Sequence, residues 1–249
     1  STGTNVYDNN YAVFKPASGK LTEVRFPSHL KSLGTNVFNS MNTPGTVITF
    51  NADAKQVEIG GAAFYKCSGI TELHLPDVGG LGIAAFRENA NLATITFGAG
   101  STLQTITRYA FYNNPAFSAF HVPASVMMID DYAFYDNKAL ASCTFAEGSK
   151  LKEMGQCVFN NSALVEFTMP DSVVYTGQSI FNGTKTLKRV HLSKNLTTVL
   201  PGESIFYQCP NIEHVSISEG SHYFKCVDGV LYDLAETIVY YFPPAKAAT

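Results

Sequence analysis

The sequence predicts a solenoid, α/β-type or mainly β, with short parallel strands in about eight to nine repeats of 22–26 residues. Two observations carry this. Phenylalanine recurs at Phe38, Phe64, Phe86, Phe111, Phe134, Phe159, Phe181 and Phe206, at intervals of 26, 22, 25, 23, 25, 22 and 25, always after an apolar residue. Following each of these anchors, apolar and polar residues alternate over four positions, the pattern of a strand with one buried face.

The elements follow in order. LTEVRFP (21–27) is a strand copy ahead of the first anchor, and the Phe38 cycle is irregular, reaching VITF one residue late. Six, nine and eleven residues after Phe64 come Ile70, Leu73 and Leu75, then Pro76. The same offsets give Leu92, Ile95 and Phe97; Phe117, Phe120 and Val122; and Leu140, Cys143 and Phe145. The Phe159 cycle is one residue shorter, with Leu164, Phe167 and Met169, while Leu187, Val190, Leu192 and Ile212, Val215, Ile217 complete the series. Each cycle holds one short strand, too little to form a sheet alone. Stacked cycles pair these strands in parallel about 4.8 Å apart over one continuous core. The Ala-Phe block returns the chain along the opposite wall, in short helical or extended form, and each buried phenylalanine stabilises by roughly 1.5–3 kcal/mol. Cycles with FGAGSTL (97–103) or FAEGSKL (145–151) alternate with cycles running VPASV (122–126) or MPDSV (169–173), so a two-cycle unit has duplicated.

Composition narrows the function classes. Apolar residues make up 45% of the 249 and charged residues 15%, and the net charge of −3 argues against a general electrostatic role on nucleic acid or anionic lipid. The basic run KTLKRVHLSK (185–194) reads as a solvated repeat edge. There is no apolar run of some 18 residues to span a membrane. STGTNVYDNN lacks the features of a signal peptide, leaving an intracellular protein or one whose leader has been removed. The five cysteines form neither a CxxC pair nor a tidy disulfide framework.

The pattern L-x-x-I-x-L-P followed by an I-G-x-x-A-F-x-x-C/N-like block, clearest in ITELHLPDVGGLGIAAFRENANLATITF (70–97), resembles the BspA-like leucine-rich repeats, the Treponema pallidum type. The resemblance covers roughly residues 21 to 217, and CVDGVLYDLAETIVYYFPPAK (226–246) is similar to the segment that often follows such repeats. Phenylalanine replaces leucine at many core positions, and the Thr176 and Pro201 cycles lack the aliphatic residue five before the anchor. The resemblance implies a leucine-rich-repeat protein, secreted or attached to a microbial surface, that acts as an adhesin or binding protein.

Three residues after successive anchors stand Cys67, Asn89, Asn114, Asn137, Ser162, Thr184 and Cys209. Exchange of cysteine with asparagine, serine and threonine points to hydrogen bonding of neighbouring backbone rather than redox chemistry. Cys143 is a core residue, whereas Cys157 and Cys226 are left unplaced, a reactive thiol among the alternatives.

Two rows of strand residues are expected to face outward side by side on a concave sheet. They contain Arg25, Glu72, His74, His121, Glu166, Arg189, His191 and His214, with four of the six histidines. These eight are the candidate ligand-binding residues, since polar groups on rigid strands suit recognition. The alternative is that threonine, serine and histidine are simply tolerated on a solvated sheet. A metal site is disfavoured, because His74 and His121 lie two strands apart, about 9.6 Å at the usual strand spacing. Arg189 is expected to pair with Glu166. Tyr65, Tyr112, Tyr135 and Tyr207, each directly after an anchor, form a second candidate surface, with packing between turns as the alternative. No GxSxG, HExxH, Walker or GxGxxG pattern is present, and the N-x-T sequons at Asn182 and Asn195 matter only in a eukaryotic secretory pathway.

The expectation is a cap over 1–20, a solenoid over 21–217 and a capping strand pair over 218–249. Its function is non-catalytic binding of a host or matrix protein or glycan, without cofactor, metal or nucleic acid. The alternative is a structural spacer displaying another domain.

Overall fold

The computed structural model describes residues 22–98, 100–199 and 205–246, so the expected cap over 1–20 lies outside the described residues. Numbered along the chain, the strands of the first wall are β1 (Glu23–Phe26), β3 (Val47–Phe50), β5 (Glu72–Leu75), β7 (Thr94–Phe97) and β9 (Ala119–Val122). They continue as β11 (Ser142–Phe145), β13 (Glu166–Thr168), β15 (Arg189–Leu192) and β16 (His214–Ile217). All pairing on this wall is parallel, and the inward side chains alternate with exposed ones as the sequence requires.

The sheet is not continuous, contrary to the expectation of even stacking. It divides into β1–β3, β5–β7, β9–β11 and β13–β15–β16. A proline marks each break. Within a pair, the residue after the later strand donates to the carbonyl ending the earlier one, as Gly98 N–H does to Leu75 and Ala146 N–H does to Val122. At the three breaks the corresponding residue is Pro76, Pro123 or Pro170, which has no N–H to give. Ser193 and Ser218 follow β15 and β16, and there the sheet runs on, with Ser218 N–H donating to Leu192.

A second, narrower ladder was not foreseen. Its strands are β2 (Ser32–Leu33), β4 (Val57–Ile59), β6 (Val78–Leu81), β8 (Thr105–Ile106), β10 (Met128–Ile129), β12 (Glu153–Met154) and β14 (Tyr175–Thr176). They form two parallel runs, β2–β4–β6 and β8–β10–β12–β14, and each contributes the buried residue five before an anchor.

The return wall contains turns; no helix occurs among the described residues, which leaves the mainly β form of the solenoid. Each anchor phenylalanine from Phe38 to Phe181 is fully buried. Successive rings stack with centroids 5.0–6.1 Å apart and planes within 17° of parallel, forming one column through the core. The backbone holds this register. Amides two before, at and two after an anchor donate to the next coil, as Ala62, Phe64 and Lys66 do to Ile83, Ala85 and Arg87. Residues two before and two after the anchors take the left-handed conformation, among them Ala62, Lys66, Ala84, Tyr109 and Cys157, with glycine only at Gly183. Non-glycine residues rarely adopt φ near +55°, so the repeated hydrogen bonds hold the backbone there against its preference.

The position three after the anchor closes the turn. Asn89 Oδ1 accepts the Cys67 amide at 2.6 Å, Asn114 that of Asn89 at 2.7 Å, and Asn137 that of Asn114 at 2.7 Å. Three of the other residues at this position donate to the previous anchor's carbonyl, Cys67 Sγ to Phe38 at 2.6 Å, Thr184 Oγ1 to Phe159 at 2.9 Å and Cys209 Sγ to Phe181 at 2.9 Å, while Ser162 Oγ lies 3.2 Å from Thr184 Oγ1. Burial pushes the Cys67 and Cys209 thiols up to about 12, so both stay protonated donors.

The C-terminal segment corrects the expected strand pair. It is a three-stranded antiparallel sheet of β17 (Phe224–Val227), β18 (Val230–Asp233) and β19 (Val239–Tyr241). It packs on the last coil through Tyr241 against Phe206, 4.5 Å between centroids, and through the Val215 amide donating to Gly229.

Candidate functional site

The register aligns the two outward rows. Glu72 stands beside Thr94 and His74 beside Thr96, and Glu166, Arg189 and His214 follow one another across β13, β15 and β16. Parallel pairing in register puts chemically equivalent positions about 4.8 Å apart, which is close enough for side chains to bond across strands.

The histidines use this spacing. His74 Nδ1 lies 2.7 Å from Thr96 Oγ1, and His121 Nδ1 lies 2.8 Å from Thr144 Oγ1. His191, which is half-buried, reaches Ser216 at 2.8 Å and Ser218 at 2.9 Å. Each of these three imidazoles is thus oriented by a hydroxyl on, or directly after, the next strand of its own sheet segment. Arg189 forms the expected cross-strand pair, donating to Glu166 at 2.7 Å, with Glu213 on its other side at 3.8 Å. Lys188 donates to Glu213 at 3.0 Å and holds that carboxyl below the usual range.

The eight candidates therefore divide. Glu166, Arg189, His191 and His214 share one sheet segment, with His214 beside the Gly229 turn of the C-terminal sheet. Glu72 and His74 share β5, whereas His121 lies on β9 with β7 between. Arg25 is at the far end and pairs with Glu23 of its own strand at 2.6 Å. Among the described residues, no group of three histidine, cysteine or acidic side chains is placed to hold a metal ion.

The tyrosines lie on the return wall. Tyr112 and Tyr135 stack at 5.1 Å and 3°, while Arg87 lies 4.7 Å from the Tyr112 ring and 5.8 Å from Tyr65. Sequence reasoning missed a parallel pair, Tyr109 and Tyr132, stacked at 5.4 Å. Tyr207 is more exposed and stands apart from this cluster. Half-buried Cys157, beside Tyr132, has its thiol pushed up by burial.

A cleft of about 560 Å³ lies where the sheet breaks between β11 and β13. Ser142, Thr144, Glu166, Thr168, Asp171 and Ser172 supply its polar lining, and Phe145 and Pro170 part of its apolar wall. Burial works against the Asp171 carboxylate, but hydrogen bonds from Ser218 and the Lys194 amide hold it below the usual range. The only sequence signal for this cleft was the proline that ends alternate strands.

A family model for the BspA type leucine rich repeat region matches in six copies, over residues 9–116 and 104–226. No curated protein matches the chain. Among solved structures, the chain is similar to the pneumococcal vaccine antigen PcpA, with 24% identity, a TM-score of 0.55, and coverage of 92% of this chain and 51% of that one. A leucine-rich repeat protein from Eubacterium ventriosum ATCC 27560 is 26% identical at TM-score 0.55, covering 72% and 46%. One from Bacteroides ovatus ATCC 8483 is 20% identical at TM-score 0.56, covering 79% and 61%. The chain thus spans about half to three-fifths of the length of these proteins.

Proposed function

The chain belongs to the BspA-type leucine-rich repeat family, and on that premise we propose that it is a non-catalytic binding protein, secreted or displayed at a bacterial surface. It recognises a host or matrix protein or a glycan through its exposed sheet face. The observation that carries this reading is the alignment of charged and imidazole side chains in two rows on rigid strands. Fixed strands hold such groups at low entropic cost, which favours recognition over mere solvation. The likeness to a vaccine antigen is consistent with exposure to a host.

A label-free binding screen tests this, with the chain passed over immobilised matrix proteins, plasma proteins and glycans. The expected result is a saturable interaction weakened at least tenfold, about 1.4 kcal/mol, by the combined change Glu72→Ala, His74→Ala and His121→Ala. Because all three side chains are exposed, cooperative unfolding should persist in that variant. A blank screen would leave the chain as a spacer for domains outside it.

A further inference from the structure

We propose that the cleft between β11 and β13 is a subsite for a neutral carbohydrate. This rests on the binding reading above and adds a ligand class and a place.

Pro170 opens the site. By the register of the intact segments, the residue after Met169 would donate to the Phe145 carbonyl, and proline has no N–H to do so. An acceptor at the cleft is thereby left to other donors. The downstream strand also matters. At the outward position where β5 and β9 carry His74 and His121, β13 carries the smaller Thr168, which leaves room beside Thr144.

The lining selects the ligand. Thr144, Thr168 and Ser142 present hydroxyls that both donate and accept, matching the dual character of sugar hydroxyls. The two carboxylates already have cations, Glu166 with Arg189 at 2.7 Å and Asp171 with Lys194 at 3.8 Å. A charged ligand finds no opposite charge here that is not already paired, whereas a neutral polyol needs none. Phe145 offers an apolar surface for the C–H face of a sugar ring. The volume, about 560 Å³, falls within the range of roughly 300–1,000 Å³ usual for small-molecule sites.

Calorimetric titration of the whole chain with lactose, cellobiose and chitobiose tests the proposal, with sialyllactose and a heparin disaccharide as charged comparators. Saturable binding of at least one neutral disaccharide is expected. Thr168→His, which installs the side chain used at the other breaks, and Thr144→Val should each weaken it about tenfold or more. Lys55→Ala, an exposed change on the turn between β3 and β4, should bind the sugar unchanged, and the Glu72/His74/His121 variant is titrated beside it. No saturable binding of any neutral sugar, binding of the charged comparators alone, or neutral binding unaffected by both threonine changes would overturn the subsite. If Thr168→His still binds a protein or glycan found in the screen while no disaccharide titrates, the subsite fails and the face reading stands. Loss of sugar binding only in the triple variant would also overturn the cleft assignment, placing that site on the rows.

Discussion

On the return wall, amides flanking Phe38, Phe64, Phe86, Phe111, Phe134 and Phe159 each donate to the next coil, and the rings beneath them stack in one column. On the sheet wall, Pro76, Pro123 and Pro170 interrupt the ladder, so strands join only in twos and threes. In a solenoid, stability comes from contacts between neighbouring repeats. The contrast places the continuous part of those contacts on the return wall. The outward side chains of the sheet wall are thereby released from a core role, and that is where the charges, imidazoles and cleft occur.

Ways to break or sharpen this contrast run from the centre of the return wall outward. Phe111→Ala removes a fully buried ring between two stacked neighbours. It should cost about 3–5 kcal/mol in a denaturant melt; a loss below about 1 kcal/mol would mean the column does not carry the core. Asn137→Ala removes the partner of the Asn114 amide and of the Phe134 carbonyl. With those groups buried and unpaired, a loss of about 2–3 kcal/mol is expected, and a near-neutral result would shift weight back to the sheet wall.

The buried thiols give a pH test of the same wall. Cys67 and Cys209 ionise near 9 when unfolded and at about 12 in the fold, because burial disfavours the thiolate. Folding therefore favours the protonated form. The associated stability is complete below pH 9 and is lost as pH rises from 9 toward 12. At one pH unit above the unfolded value, each thiol should cost about 1 kcal/mol. Melts of the wild type and of Cys67→Ser between neutral and alkaline pH check this: the serine variant should show a shallower decline, and parallel curves would contradict it.

The smallest effect is expected on the sheet wall. Pro170→Ala supplies the missing N–H, adding a hydrogen bond of about 0.5–1.5 kcal/mol while giving up about 0.4–1 kcal/mol of unfolded-state restriction. Net stability should move by less than about 1 kcal/mol. Hydrogen exchange should nevertheless find the new amide at position 170 protected. Rapid exchange there would show that something other than proline separates β11 from β13.

Much of this was legible from single positions. The phenylalanine column could be read because each turn of the solenoid has room for one large ring at one place, so the requirement recurs with the period. Cys67, Asn89, Asn114, Asn137 and Thr184 could be read as hydrogen-bonding positions, since only polar character is shared among them. The outward rows, and the Arg189–Glu166 pair with them, followed from strict alternation. Other features left little trace. The two-residue strands from Ser32–Leu33 to Tyr175–Thr176 are too short to show any periodicity. The left-handed positions hold residues as different as Asn36, Lys66, Tyr109 and Cys157, because neighbouring coils rather than side chains impose that backbone. The third C-terminal strand was obscured by its brevity and the Pro243–Pro244 that follows.

By itself the sequence determined the repeat, its period, the residues that face inward and the order of side chains along each outward row. These are local consequences of side-chain size and alternation. Only the tertiary structure decided which outward groups meet. An imidazole finds a hydroxyl, or a break becomes a cleft, through the register between coils some 22–27 residues apart in the chain. That register is held by backbone hydrogen bonds on the opposite wall, while the breaks fall where a sheet-wall proline has no N–H to give.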